Sequence, residues 1–354
     1  MISNPLFVLF SCLCVGALLC GRYSQNKILG NKLFMFLSLI VMLAFRTLLD
    51  INFLPDLPAY SSGYSQISQL PFSQVAVSEL HSVKMPEVGF RLFMKIVSFI
   101  SDRFDFFLLV YGLIWILGFR TVIKRYSPFV IVSILFLFLD VYLQSIFVLR
   151  QHLAFLIVLF SYKYIIEKKP VPYLISMAIA FSFHQSAIVA IPLYFFYHIR
   201  NRKTLFMAFV VTALVGYFYF SVVLRHMGDE VLVGMSSYID SDKLTNFTSF
   251  ILVSLHLFFF IFFLRKNIFN EGINKVLFVS LVFGLLLSLL GVGYNPTGRL
   301  LLYMTGVSFI EIPVVMSYIK SGLLKNLYML TFLGISFYIG FFGSQMASIA
   351  DFSF

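Results

Sequence analysis

Val148 to Pro192 reads VLRQHLAFLIVLFSYKYIIEKKPVPYLISMAIAFSFHQSAIVAIP, and how it folds decides how the chain crosses a membrane. Arg150 stands at the mouth of one apolar run, and His184 lies near the middle of the next hydrophobic stretch. The basic turn Glu167-Lys168-Lys169-Pro170 separates them. Ionisable side chains are costly in hydrocarbon, so each needs a physical reason to be there.

The rest of the sequence says that hydrocarbon is the solvent. Of 354 residues, 60% are hydrophobic, 18% aromatic and only 12% charged, with a mean hydropathy of +0.95. Soluble domains carry about 25% charged residues. Apolar runs recur from end to end, and a bilayer admits only backbone that satisfies its own hydrogen bonds. The expected fold class is an all-α, polytopic helical membrane protein forming a single integral membrane domain over 1–354. About twelve spans are expected, at 5–20, 33–49, 104–119, 128–146, 151–166, 171–183, 185–199, 204–224, 248–264, 276–292, 300–319 and 326–343.

Alternate connections carry the basic residues. One side collects Arg22, Lys27 and Lys32; Arg120, Lys124 and Arg125; Lys163, Lys168 and Lys169; Arg200, Arg202 and Lys203; Arg265, Lys266 and Lys275; and Lys320 and Lys325. The positive-inside rule makes that side cytoplasmic and both termini external. The acids Asp50, Asp56, Glu79, Glu87, Asp102, Asp105, Asp229, Glu230, Asp240, Asp242 and Asp351 gather on the other side.

The same rule folds the opening stretch. Basic clusters at 163–169 and 200–203 flank Val171 to Ile199, so both ends of that run are cytoplasmic. A single straight helix of about 29 residues, roughly 43 Å long, would leave one cluster outside. A hairpin of two short or broken helices, turning near Phe183-His184-Gln185-Ser186, keeps both inside. Irregular backbone at that depth needs protein or a watery cavity beside it, so His184 is expected to face a cavity.

Two outer loops are expected, at about 50–103 and 225–247. The first begins polar, rich in Ser, Gln and Pro. It ends in Gly89 to Asp102, where Arg91, Lys95, Ser98 and Asp102 share one helical face and Phe90, Phe93, Ile96, Val97 and Ile100 fill the opposite one. This spacing predicts an amphipathic helix along the outer interface.

Several function classes recede. Cys12, Cys14 and Cys20 all lie in the first apolar run and lack metal-ligand spacing. The N-terminus has no basic n-region, and Leu19 precedes Cys20, so it reads as a retained helix. His152, His198 and His256 form no ligand-like group, so no metal is expected, and the +11 charge marks topology rather than nucleic acid. No glycine-rich phosphate loop or serine triad appears, which argues against a cytosolic nucleotide-using enzyme.

The candidate chemistry is cationic and external. Arg150 and Arg299 both open spans at their outer ends, Arg299 after Tyr294-Asn295-Pro296-Thr297-Gly298. Free backbone N–H groups with a guanidinium make an anion site suited to phosphate; alternatively each arginine snorkels to lipid headgroups. His184 lies at a similar depth. It is about 14 residues, roughly 21 Å, above the basic turn, against about 27 Å for Arg150. It is a candidate general base, or a structural histidine bonded between helices. Asp140 reaches the outer half, to pair with Arg150 or position an acceptor. Glu87 and Arg91 could reach a substrate at the interface or be solvated there. Glu311, before Pro313, lies deeper and is expected to satisfy a proline-broken helix.

Four stretches carry a resemblance. Glu87-Val88-Gly89-Phe90-Arg91-Leu92-Phe93, Val148-Leu149-Arg150-Gln151-His152-Leu153-Ala154, Phe183-His184-Gln185-Ser186-Ala187 and Gly298-Arg299-Leu300-Leu301-Leu302-Tyr303 resemble the EpsG type of bacterial polysaccharide polymerase, the Wzy-like group. The order and spacing agree over most of the chain, although His152 stands where a small or apolar residue is commoner. The resemblance implies a GT-C-like membrane glycosyltransferase of the bacterial inner membrane, active outside the cytoplasmic face. Such enzymes polymerise repeat units into O-antigen, capsule or exopolysaccharide. Its partners would be undecaprenyl-pyrophosphate-linked oligosaccharides, membrane lipids and a chain-length regulator protein, with no cofactor.

On that resemblance Arg150 and Arg299 hold the pyrophosphate, His184 handles the acceptor proton, and Arg91, Glu87, Asp140 and Tyr303 contact substrate. Two rivals stay open. A lipid-linked glycan flippase would spread its charges through a central passage between two related halves. A glycan-modifying acyltransferase would present its donor site to the cytoplasm.

Overall fold

The computed structural model describes residues 5–23, 27–48, 54, 56–76, 87–226, 243–270, 272–291 and 297–342, with the side chains at several helix ends outside that set. The regular structure among the described residues is helical throughout. The helices are α1 Pro5–Tyr23, α2 Lys27–Leu48, α3 Leu57–Gln69, α4 Val88–Ser98, α5 Phe104–Tyr126, α6 Val130–Leu137 and α7 Leu143–Ser145. There follow α8 Leu149–Ile166, α9 Pro170–Phe183, α10 Pro192–His198, α11 Arg202–His226, α12 Lys243–Leu264, α13 Ile273–Gly291, α14 Thr297–Thr305, α15 Ser308–Tyr318 and α16 Gly322–Phe342.

Helices stand where the hydropathy places spans. Six stretches among the described residues are long and apolar enough to cross a membrane: Leu29–Thr47, Phe104–Tyr126, Leu149–Ile166, Phe247–Leu264, Leu300–Tyr318 and Gly322–Phe341. Shorter apolar helices occupy Val8–Ala17, Val130–Ser145, Pro170–Phe183 and Ile273–Leu289. This is a polytopic membrane protein. Large apolar side chains stay exposed along its helices, among them Leu117, Phe258, Phe262 and Leu330, as lipid-facing surfaces require.

The expected hairpin is present. A straight helix would part Tyr173 and Ala190 by about 26 Å. Instead the Tyr173 hydroxyl donates to the Ala190 carbonyl at 2.5 Å, and the Tyr173 and Tyr194 rings lie 5.4 Å apart. Tyr173 and Tyr194 are equally distant in sequence from the Phe183–His184 junction, so the chain reverses there. The return arm is a 3-10 helix, Gln185–Ala190, followed by short α10. Before it, the turn after α8 places Lys168 in the left-handed region (φ 58°), with the Lys169 amide bonded to the Tyr164 carbonyl at 2.9 Å. That geometry closes α8 and lets Pro170 start α9.

The chain forms two compact units. The first comprises Met1–Leu156, Ile179–Gln185 and Ser308–Phe354. In it α2 packs on α1, α5 and α6, and α15 packs on α6. Between α6 and α7 a π turn, Phe138–Tyr142, widens the helix and carries Asp140. Gly340 of α16 sits directly on that turn, where a Cβ would come within 3.1 Å of the Leu139 carbonyl oxygen. The second unit, Ile157–Ala178 and Ser186–Val307, is built around α13, which contacts α10, α11, α12 and α14.

Two expectations about the outer segment need correction. The Ser- and Gln-rich part of 50–103, read as a polar loop, holds the three-turn helix α3, which starts after Asp56 with Pro58 in its first turn. It buries Leu57, Tyr60, Tyr64 and Ile67, a helical spacing that the polar residues between them obscured. Helix α4 forms as expected, but its cationic ridge does not face water. Arg91 and Lys95 are buried, whereas Ile96, Phe99 and Ile100 are exposed. Arg91 Nη2 donates to the Ala76 carbonyl at 3.0 Å, and Lys95 Nζ to the Ser68 carbonyl at 2.9 Å. Lysine thereby caps the C-terminal carbonyls of α3, where the helix dipole favours a cation.

Candidate functional site

The candidate site lies wholly within the first unit and is assembled from four helix ends. Glu87 stands immediately before α4, Arg150 in the first turn of α8, His184 just after α9, and Tyr60 in the first turn of α3. Its approach depends on Gly89. A Cβ there would lie 2.2 Å from Ser182 Oγ and 2.8 Å from the Ser182 carbonyl oxygen, so only glycine lets the start of α4 meet the end of α9 so closely. Phe93 and Phe183 add a ring contact at 6.3 Å beside it.

Glu87 is the hub. One carboxylate oxygen, Oε2, pairs with Arg150 Nη1. The other, Oε1, bonds His184 Nδ1 at 2.9 Å. Arg150 Nε donates to the Tyr60 hydroxyl at 3.2 Å, and its guanidinium carbon stands 5.7 Å from the centre of the Tyr60 ring. Side-chain exposure falls from 20% at Arg150 through 12% at His184 to 4% at Glu87, so the carboxylate is the floor and the cation and imidazole are the mouth.

Burial alone would raise the Glu87 pKa. The His184 hydrogen bond and the Arg150 charge together outweigh it and hold the carboxyl below its ordinary 4.5. At neutral pH Glu87 is therefore an anion that only accepts hydrogen bonds. It follows that His184 Nδ1 carries a proton. A neutral His184 then presents its Nε2 lone pair away from Glu87, as in carboxylate-oriented catalytic imidazoles. Arg150 has five N–H donors and uses one on Glu87 and one on Tyr60, so it can still bind an anion at its exposed edge.

Arg150 and His184, placed at one depth by residue counting, thus meet through one carboxylate. His184 meets Glu87 directly. Asp140 accepts a hydrogen bond from Ser308 Oγ at 2.5 Å. Arg91 bonds the Ala76 carbonyl, as above. Glu311 is fully buried on α15, two residues before Pro313. In the second unit, buried Tyr303 accepts a hydrogen bond from Ser186 Oγ at 3.2 Å. Arg299 falls in the first turn of α14, as expected of a helix-opening arginine, and its side chain lies outside the described residues. Among the described residues no group of three or more His, Cys, Asp or Glu could hold a metal.

Tyr60 escaped the sequence reading because its segment was taken for a loop. The repeat Leu57, Tyr60, Tyr64, Ile67 was the available signal.

No curated protein and no solved structure matches the chain significantly. The EpsG family profile matches residues 31–353, a span that includes Glu87, Arg150, His184 and Arg299. The chain therefore belongs to the EpsG family and is a membrane protein of the polysaccharide-biosynthesis kind.

Proposed function

We propose that the protein is a polysaccharide polymerase that transfers a growing glycan from undecaprenyl pyrophosphate to the next lipid-linked repeat unit. The observation that carries this reading is the single carboxylate that binds both a partly exposed arginine and an imidazole. In the transfer, an acceptor hydroxyl oxygen bonds to the anomeric carbon of the donor. The bond from that carbon to the pyrophosphate oxygen breaks, and the electron pair leaves with undecaprenyl pyrophosphate. His184 Nε2 takes the hydroxyl proton, oriented through Nδ1 by Glu87. Arg150 stabilises the departing pyrophosphate charge, a role only a preorganised cation fills without rearrangement. Arg299, at a helix start, is a further pyrophosphate-binding cation on the strength of the family resemblance alone. Glu87 thus serves His184 and Arg150 rather than the sugar directly. The charge asymmetry of the connections supports a bacterial cytoplasmic membrane location with this site toward the outside.

The test is a deletion complemented with variants and read on a polysaccharide gel. Loss of the protein should leave product of a single repeat, and Arg150→Ala or His184→Ala, expressed normally, should fail to restore long chains. No exported product at all would favour a flippase. Polymer of normal length lacking a decoration would favour an acyltransferase. Full-length polymer from Arg150→Ala would overturn the mechanism.

A further inference from the structure

Arg46, in the last turns of α2, is 1% exposed. Nη2 donates to Ser145 Oγ, and its guanidinium carbon lies 4.9, 5.1 and 5.3 Å from the ring centres of Tyr111, Trp115 and Tyr142. Its Nε and Nη1 are buried without a hydrogen-bond partner among the described residues. A cation met by hydroxyl groups and aromatic faces is a costly way to fill space inside a membrane protein. An apolar side chain would occupy the same aromatic box without that desolvation, so the box alone does not explain the guanidinium.

What the guanidinium and its box grip does. Ser145 ends α7, and Ile146–Val148 form the break before α8. The Tyr111 hydroxyl reaches across this break, 3.4 Å from the Ser145 carbonyl and 3.2 Å from the Leu149 carbonyl. Ser145 Oγ donates to the Tyr142 carbonyl at 2.8 Å, and the Tyr142 hydroxyl donates to the Met42 carbonyl at 2.6 Å, one turn before Arg46. The two carbonyls held by Tyr111 bracket the break, and the residue after Leu149 is Arg150.

We propose that Arg46 is a positioning residue for Arg150. It holds Ser145 and the Tyr111 ring, the one Tyr111 hydroxyl proton is shared between the carbonyls that flank the 146–148 turn, and the turn sets where the Arg150 guanidinium stands toward Glu87 and Tyr60. This rests on the reading of Arg150 as the group that meets the pyrophosphate. Its need for accuracy is steep, since a misplacement of about 1 Å can cost roughly 100-fold in rate.

The experiment measures binding of undecaprenyl pyrophosphate to the full-length protein in lipid nanodiscs, alongside thermal melting. Tyr111→Phe keeps the ring and removes only the hydroxyl, and is expected to weaken binding about tenfold at an unchanged melting temperature. Arg46→Met should weaken it at least as much. Arg46→Lys, which restores the charge but not the planar fork, should recover only a small part. Unchanged binding in Tyr111→Phe and Arg46→Met, with binding lost in Arg150→Ala, would overturn the positioning role and leave the function standing. Full recovery by Arg46→Lys would overturn it in favour of bare charge, and losses that only track melting temperature would reduce it to structural support. Unchanged binding in Arg150→Ala would remove the functional reading and this inference with it.

Discussion

Arg46 and Arg150 are both buried or nearly so, both near the ends of membrane helices, and they belong to different kinds of site. Arg150 meets a carboxylate and a tyrosine hydroxyl, with 20% of its side chain exposed. Arg46 meets a serine and three aromatic rings and is sealed at 1%. Charge inside a membrane is therefore not by itself a mark of chemistry. What separates the two is a carboxylate partner and an open edge: Arg150 can exchange a contact with a ligand, whereas Arg46 can only hold what surrounds it. Arg91 and Lys95 are buried as well, and each donates to a backbone carbonyl, Ala76 and Ser68 respectively.

The largest effect should come from making Arg150 resemble Arg46. Glu87→Gln keeps the shape of the side chain and removes the charge that neutralises Arg150 and fixes the His184 tautomer. Removing one partner of a buried ion pair costs about 3 kcal/mol, and loss of the oriented imidazole costs roughly 100-fold or more in turnover. Polymer length on gels and the melting temperature of the purified protein should both fall. Near-normal polymer from Glu87→Gln would erase the distinction between the two arginines.

A smaller loss is expected from Gly89→Ala, which touches no charge. The added Cβ would meet the Ser182 backbone as well as its hydroxyl, so the start of α4 must move away from the end of α9 and carry Glu87 with it. Turnover should drop by about tenfold to 100-fold, with the affinity for undecaprenyl pyrophosphate changed much less. If turnover and stability fell strictly together, the close approach would matter to folding and not to the alignment of Glu87 with His184.

The sequence exposed Arg150 and His184 because a bilayer makes ionisable groups conspicuous, and the alternation of basic loops required the hairpin that carries His184. Its turn point could be located because both flanking clusters had to stay on one side. Glu87 was visible as a candidate, yet its role depended on a partner nearly a hundred residues away, which periodicity cannot supply. Tyr60 was hidden by composition: serine and glutamine between the buried positions of α3 imitate a loop. Arg46 lay inside an apolar run near an expected membrane edge, where an arginine that snorkels and one that is sealed look identical. Only the positions of Tyr111, Trp115 and Tyr142 separate those cases, and they come from two other helices. The face of α4 was misjudged for a related reason. Helical spacing groups Arg91 with Lys95 but does not say whether carbonyls or water will meet them.

The smallest effect concerns acid. Because His184 and Arg150 hold the Glu87 pKa below 4.5 in the folded protein, Glu87 contributes stability that is present above its unfolded value and is lost as pH falls through the lowered folded one. Between pH 5 and 8 the carboxylate stays charged and this contribution is flat. Melting temperatures of the wild type should therefore decline on acidification below about pH 4.5, and those of Glu87→Gln should decline less over the same interval. The same argument reaches the chemistry. A fall in turnover between pH 5 and 8 must come from a group other than Glu87. A neutral-range acid limb that vanished in Glu87→Gln would assign the proton to Glu87. The carboxylate would then be the base itself and not the anchor that separates Arg150 from Arg46.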